Sequence, residues 1–365
     1  MSNLRQIVAM GGGGFSMEPD NSLLDRYVLG LAVTAGKRRP KICFIPTASG
    51  DSDNYVERFY RAFGKLECTP SHLSLFKGTT PDLEALILAQ DILYVGGGNT
   101  RNLLTLWRDW GLDQAIRKAY QQGIVLSGIS AGSICWFEQG VTDSIPGRLS
   151  SLSCLGILEG SNCPHYDGET NRRPAYHRMI EQREIGPGFA AEDGVALHFV
   201  EGRLAHVVSS HPEKRAYGLS MGDTQAVEEP VEARYLGGPG FTLIRRAAKS
   251  DAPGIHDAHM RSIREVCGPH YTLEEIAAWG GRAYNEERRL RGIRENLIWV
   301  VENDGRIEGY GELNLRDPAG AYLHALYLTP AVLKRGLGRR ILALMEEEIR
   351  TATVPRRTLD STLNS

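Results

Sequence analysis

The sequence predicts an α/β protein: a doubly wound, mostly parallel sheet over residues 1–236, then a smaller α+β unit over 240–365. Three observations predict it. Short β-type runs stop at turn-forming residues, stretches of helical apolar spacing lie between them, and the texture of the chain changes twice. The runs are RQIVAM before Gly11 to Gly14, KICFIP before Thr47, DILYV before Gly96 to Gly98, and GIVLSG before Ser130. Between them, Leu23 to Val33, Tyr55 to Phe63, Asn102 to Ala119 and Ala131 to Phe137 space their apolar residues as helices do. A β-α-β-α order implies a parallel sheet covered on both faces, with functional loops at the carboxyl ends of its strands.

From about Leu152 shorter strands and turns take over, and VALHFVEG, RLAHVVSS and EARYLGG read as an antiparallel closing portion of the same domain. The GGPG of residues 237–240 is a break. Beyond it, Phe241 to Arg245 reads as a strand and Ile255 to Cys267 and Thr272 to Trp279 as helices. Leu297 to Glu302 and Gly309 to Leu315 read as strands flanking an N-D-G turn, Tyr322 to Leu328 as another strand, and Leu333 to Arg350 as a helix.

Composition narrows the function. With 42% hydrophobic and 24% charged residues and a formal net charge of -2, the chain offers no electrostatic footprint for nucleic acid or an anionic membrane. No apolar run reaches the ~18 residues of a membrane-spanning helix. MSNLRQIVAMGGGGF lacks the length and flanks of a signal peptide, so the expected location is the cytoplasm. Six scattered cysteines with no C-x-x-C pair argue against a structural metal or a disulfide framework. Small molecules are the expected partners.

The most informative segment is GIVLSGISAGSICWF, in which G-I-S-A-G (Gly128 to Gly132) lies between an apolar strand and a helical run. That is the setting of a nucleophile elbow, where a tight turn projects the serine away from the sheet and the following helix start leaves N-H groups, including that of Ala131, beside a developing oxyanion. Ser130 needs a base held by an acid. His165 in SNCPHYDGE is the candidate base, and Asp143 in GVTDSIPG or Glu138 the candidate acid. The glycine run Gly96 to Gly98 lets backbone amides approach a substrate carbonyl, while Asn99 can cap the following helix. Phosphate binding there is disfavoured, because G-G-G-N-T lacks the lysine of a P-loop.

Several separated motifs, F-I-P-T-A-S (Phe44 to Ser49), Y-V-G-G-G-N-T (Tyr94 to Thr100), G-I-S-A-G-S, T-D-S (Thr142 to Ser144) and C-P-H-Y (Cys163 to Tyr166), follow the early glycine run in order. In them the chain resembles the peptidase E family of serine peptidases, which includes cyanophycinases, over roughly residues 5–236. The resemblance implies a fold like that of class I glutamine amidotransferases and a triad of Ser130, His165 and an acid, Asp143 preferred over Glu138. It also implies an oxyanion hole from Gly97, Gly98 and the N-H of Ala131. Peptidase E removes N-terminal Asp from dipeptides, which would call for a cation. Arg172, Arg173, His177 and Arg178 are candidates, and Asn99, Tyr166, Tyr176 and His211 are further candidates to line the pocket.

The segment after Gly240 resembles the GNAT acetyltransferases. FTLIRRAAKSDAPGIHDAHMRSI is similar to their first strand and helix, YTLEEIAAW to their second helix, and YLHALYLTPAVLKRGLGRRILALMEEEI to their acetyl-CoA core. In that family backbone amides of a Q/R-x-x-G-x-G/A turn hold the pyrophosphate on a helix N-terminus. Here Leu333 replaces the first Gln/Arg, and Lys334, Arg335, Gly336, Gly338 and Arg339 are the candidate acetyl-CoA residues. The final RRTLDSTLNS reads as the start of the next strand and its turn, so an incomplete unit with weak acetyl-CoA binding is expected. The leading function is therefore a serine peptidase acting on small peptides through an acyl-enzyme, without a cofactor. An acetyl-CoA-binding or acetyltransferase protein with a regulatory or sensing hydrolase-like domain is the alternative. A monomer and a homodimer are both open.

Overall fold

A computed structural model of the chain describes residues 4–34, 39–78, 80–237, 242–281, 283–303, 306–316, 320–352 and 357–359. The described residues divide into two compact units, one of residues up to Ala32 and from Pro40 to Gly237, the other of residues from 242 onward together with Val33, Thr34 and Arg39. Residues 238–240 of the GGPG break, the Asp304-Gly305 turn and the sequence after Leu359 lie outside the described residues.

The strands of the first unit are β1 (Gln6–Met10), β2 (Lys41–Ile45), β3 (Thr69–His72), β4 (Ile92–Val95), β5 (Val125–Ile129), β6 (Phe137–Ile145), β7 (Arg148–Ser153), β8 (Leu158–Cys163), β9 (Gly188–Ala191), β10 (Val195–Val200), β11 (Arg203–Ser209), β12 (Ala216–Met221), β13 (Ala226–Val231) and β14 (Arg234–Tyr235). Among the described residues, one sheet runs β14-β11-β10-β1-β5-β4-β2-β3 and a second runs β13-β12-β9-β8-β6-β7. β1, β5, β4, β2 and β3 are mutually parallel, as the β-α-β-α reading required, and β10 joins β1 antiparallel. The chain starts at β1, steps outward, and returns at β5 beside β1. The ends of β1, β4 and β5 therefore lie side by side, where an open parallel sheet places its ligands.

Local chemistry explains the departures from the sequence reading. Asn102 to Ala119 is two helices, Thr100–Asp109 and Leu112–Gln121, split where Gly111 takes φ 69°. The helix after Ser130 stops at Ile134, and Phe137 already begins β6. The apolar run ICWF fits a buried strand as well as a helix, and periodicity alone does not separate the two. The second sheet was thereby missed.

The second unit adds β15 (Thr242–Arg246), β16 (Leu297–Asn303), β17 (Arg306–Asn314), β18 (Ala321–Leu328) and β19 (Arg357–Leu359), paired in that order. β19 lies parallel to β18, in keeping with the strand read at the end of the sequence. Leu297, Trp299 and Val301 of β16 pack with Leu337, Ile341 and Met345 of the helix Leu337–Thr351. Ile298 and Val300 pack with Ile255 and Ala258 of the helix Ala252–Ser262, so both faces of this sheet are buried. A helix at Glu286–Glu295 was not read, because EERRLRGIRE is charged nearly throughout and lacks an apolar stripe.

Beneath the first glycine run, Phe15 packs against Phe44, Tyr55, Phe59, Phe63 and Tyr94. Asp25 is buried at 1% exposure beside this cluster and accepts from the Tyr94 hydroxyl at 3.5 Å. Burial raises its pKa from the ordinary 3.8 to about 7, against the lowering effect of bonds from the Phe15 N-H and Tyr94. Because the folded value lies above the unfolded one, the stability this group contributes is complete below about pH 4 and lost as pH rises through 7. Asp25→Asn should remove that loss, leaving the variant more stable at pH 8 by up to roughly 4 kcal/mol and little changed at pH 4. Thermal unfolding at both pH values tests it; parallel pH profiles for the two proteins would refute the assignment.

Candidate active site

Ser130 follows β5 and is non-helical, with φ 57° and ψ -113°, before the helix Ala131–Ile134 begins. A non-glycine residue held at positive φ is strained by about 1–3 kcal/mol and persists only where its surroundings enforce it. Here the enforcement is visible. The Ser130 N-H donates to the Met10 carbonyl at 3.1 Å, and the flanking glycines let backbones touch. A Cβ at Gly128 would overlap the Gly132 carbonyl, and one at Gly132 would overlap the Val95 carbonyl of β4. The glycines of G-I-S-A-G thus close the turn onto its own helix and onto the neighbouring strand.

His165 follows β8 by two residues, also at positive φ (53°), and its N-H donates to the Gly11 carbonyl at 3.1 Å. Met10 and Gly11 are adjacent, so consecutive carbonyls hold the serine and the histidine. The His165 ring is 13% exposed and its Nδ1 lies 2.6 Å from Oδ1 of Asp193. A carboxylate only accepts, so Nδ1 carries a proton, and in the neutral ring that leaves Nε2 as the nitrogen able to accept one. Asp193 lies between β9 and β10, its own N-H donating to Asp167 at 2.9 Å, while Asp167 pairs with Lys214. Its carboxylate fits a space left by two more glycines: a Cβ at Gly12 or at Gly168 would overlap it.

Neither acid read from the sequence meets the histidine. Asp143 is in strand β6 rather than a loop, 64% exposed, with an oxygen 3.8 Å from Arg172. Side chains alternate along a strand, so Thr142 and Ser144 turn the other way. Thr142 Oγ1 donates to Thr100 at 3.3 Å, Ser144 Oγ accepts the Arg101 N-H at 3.1 Å, and the Ser144 carbonyl accepts from Asn99 Nδ2 at 3.0 Å. T-D-S straps β6 to the helix after the second glycine run. Glu138, also on β6, accepts the Gly160 N-H at 2.9 Å. Asp193 was missed because Asp-Gly between two strand-like runs reads as an ordinary turn. Its signal was an acid following the histidine in the chain.

In the second glycine run, a Cβ at Gly97 would stand 3.2 Å from the Ser130 Cβ, placing this turn against Ser130. The Gly97 N-H is given to the Tyr55 hydroxyl at 3.2 Å, which also bonds Ser16 at 2.7 Å. Asn99 caps the next helix as read, accepting the Asn102 N-H at 2.9 Å, and its amide nitrogen is spent on Ser144. Ala131 opens the helix after Ser130, a position whose N-H has no partner within the helix.

Three of the four cations read as substrate ligands, Arg172, Arg173 and His177, are engaged by other groups of the protein. Glu228 of β13 accepts from Tyr166 at 2.5 Å, from Arg173 Nε at 3.1 Å, and lies 2.9 Å from His177 Nε2. Burial would raise the Glu228 pKa, but the bonds from Tyr166, His177 and Arg173 bring it below the usual carboxylate range. Arg172 is buried on Glu169 and the Val141 carbonyl, Tyr176 bonds Ser161, and His211 pairs with Glu18. Of the histidines and arginines of this segment, His165 alone is joined to Asp193 among the described residues.

In the second unit, Lys334 (φ 59°) and Gly336 (φ 75°) turn the chain into the helix Leu337–Thr351, whose first turn holds no acidic residue. Arg335 donates to Asn303 at 3.1 Å, and a Cβ at Gly338 would meet Leu328 only at ordinary contact distance.

The profile of peptidase family S51 matches residues 7–207, more than half of the sequence. The chain belongs to peptidase family S51. The S51 chain is 56% identical over 234 residues to an uncharacterized peptidase, YgaJ, of Bacillus subtilis, covering 64% of this chain and 100% of the relative. It is 28% identical over 176 residues to a peptidase E of Streptomyces coelicolor, covering 45% of this chain and 70% of that protein. The crystal structure of a peptidase from an acI-B1 actinobacterium matches with a TM-score of 0.50 at 17% identity, over 64% of this chain and 96% of that one, which shows the shared fold. The profile of the acetyltransferase (GNAT) family matches residues 260–364, so a GNAT domain follows the peptidase domain. No described helix is long and apolar enough to cross a membrane.

Gly12→Ala should push Asp193 off the His165 ring and slow serine labelling by a fluorophosphonate roughly a hundredfold, the scale of a misplaced catalytic group. The same substitution at solvent-open Gly147, where a Cβ meets nothing but φ is 83°, should affect folding stability more than labelling. Equal labelling losses in both variants would contradict the cradle.

Proposed function

We propose that this serine peptidase hydrolyses small peptides with Ser130 as nucleophile, His165 as general base and then acid, and Asp193 as the orienting acid. The observation that carries the reading is the His165–Asp193 bond, made while adjacent carbonyls of Met10 and Gly11 hold Ser130 and His165 together. His165 Nε2 takes the Ser130 proton as Oγ attacks the peptide carbonyl carbon, then returns it to the departing amine. Water repeats the sequence on the resulting ester, releasing the acid and restoring the serine. Asp193 stays ionised and holds the ring in the required tautomer. The N-H of Ala131 and that of Gly98 are the proposed oxyanion donors, because the Gly97 N-H is committed to Tyr55. The engagement of Arg173 and His177 by Glu228 removes the support for an acidic side-chain preference based on them.

Fluorophosphonate labelling and dipeptide hydrolysis test this. Ser130→Ala should abolish labelling, and His165→Ala should cost several orders of magnitude, with the double variant scarcely worse. Asp193→Asn should cost about a thousandfold, while Asp143→Asn and Glu138→Gln stay within about threefold. Asp143→Asn proving more damaging than Asp193→Asn would return the acid to its sequence-based place.

For the GNAT domain we propose acetyl-CoA as the ligand of the turn at Lys334 to Arg339. The residues fit an anionic diphosphate: the amides that open a fifteen-residue helix, two positive-φ positions before them, and no acid in the first turn. Bound there, acetyl-CoA would supply an activated acetyl thioester. The peptidase domain is proposed to be independent of it, since Ser130, His165 and Asp193 all precede Gly237. A chain ending at Gly237 should fold and label like the full protein; aggregation or loss of labelling would move the boundary.

A further inference from the structure

In the second unit a cavity of about 470 Å³ opens between the helices Ala252–Ser262 and Glu286–Glu295 and the strands β17 and β18. That size suits a small-molecule site. Trp279, Tyr310 and Tyr327 contribute aromatic walls. Arg289 enters it half-buried, with Nη2 2.8 Å from His259 Nδ1, Nη1 3.5 Å from the Tyr310 hydroxyl, and its guanidinium 5.5 Å from the Tyr310 ring centre. A guanidinium has no lone pair, so His259 Nδ1 accepts and the imidazole is neutral. The groups that hold Arg289 are thus uncharged, and among the described residues no carboxylate forms an ion pair with it. A positive charge partly withdrawn from water without a counter-ion is costly, and a ligand carboxylate would relieve that cost.

The cavity also holds the opposite charge, on the strand that carries Tyr310. Glu312 lies two residues beyond Tyr310 on β17, and both line the cavity; Gly311 between them faces the other way, where a Cβ would meet Met345. Along the strand the backbones of Tyr310, against which Arg289 lies, and Glu312 are about 7 Å apart. Glu312 Oε1 is fixed by Asn296 Nδ2 at 2.6 Å. An extended dipeptide also spans about 7 Å between its ends.

We propose that this cavity binds a zwitterion of dipeptide length, its carboxylate on Arg289, its ammonium on Glu312, and its side chains against Trp279 and Tyr327. The inference stands apart from the peptidase reading and survives its failure. The test uses the full chain carrying Ser130→Ala, so that peptide is not consumed, and reads the part of the tryptophan fluorescence that Trp279→Phe removes. Glycyl-leucine should perturb that signal saturably. Its C-terminal amide should bind at least tenfold more weakly and be indifferent to Arg289→Ala, which should weaken the free dipeptide tenfold or more; Arg289→Lys should recover part of the loss. N-acetylation should weaken binding similarly and remove any dependence on Glu312→Gln. No Trp279-dependent response, or equal binding of free, amidated and acetylated peptides, overturns the proposal. The peptide series decides it even if a substituted chain fails to fold.

Discussion

Two consecutive carbonyls at the end of β1 hold the candidate catalytic geometry of the peptidase domain. Met10 receives the N-H of Ser130 and Gly11 that of His165. β1 is paired with β5, which delivers Ser130, and with β10, which begins just after Asp193. Each hydrogen bond contributes only about 1 kcal/mol to net stability, but together they fix backbone positions on one rigid strand. That matters because Ser130 and His165 both sit at positive φ. Their strain is sustained by the close backbone contacts at Gly128 and Gly132 and by the central sheet around them.

What was legible in the sequence was chemistry carried by contiguous residues. G-I-S-A-G encodes its turn, its strand and its helix start within a few positions, and Asn99 caps the next helix through a neighbour three residues away. The acid that bonds His165 was not contiguous. Asp193 reaches His165 only because β8 and β9 lie side by side in the second sheet, and that sheet begins at Phe137, within the stretch read as a continuing helix. One ambiguous apolar run therefore concealed both the sheet and the partner of His165. Asp143 looked suitable while its segment read as a loop; on a strand, alternation turns it to solvent between two residues that face inward. The same limit applied to Arg173 and His177, whose partner Glu228 lies more than fifty residues on.

In the second unit the turn before Leu337 was readable because glycines and cations within six residues define it. The helix Glu286–Glu295 was not, since its charged sequence carries no periodic apolar face. That omission hid the cavity, because the helix supplies Arg289 to it. A charged helix of this kind offers little burial of its own, and its guanidiniums remain available to whatever enters beside them.

The glycine turn next to Ser130 shows how a nominal donor can act as a support. An oxyanion hole works when its dipoles are already aimed before charge develops, so reorganisation of the turn during the reaction would waste its electrostatic effect. The Gly97 N-H is fastened to Tyr55, whose ring packs against Phe15 and Phe44 and whose hydroxyl also bonds Ser16. Burial raises the Tyr55 pKa, against weaker lowering by its bonds to Ser16 and Gly97, so the hydroxyl stays neutral and keeps both partners across the ordinary pH range. Arg58 covers the ring at 4.9 Å and donates to the Ser16 carbonyl at 3.0 Å, closing the loop of contacts. The first glycine run, the aromatic cluster beneath it and the second glycine run are therefore one mechanical unit. On the proposed mechanism, Gly97 contributes by holding the next amide in place, so that Gly98 meets the oxyanion from a fastened turn while Ala131 meets it from the helix start after Ser130.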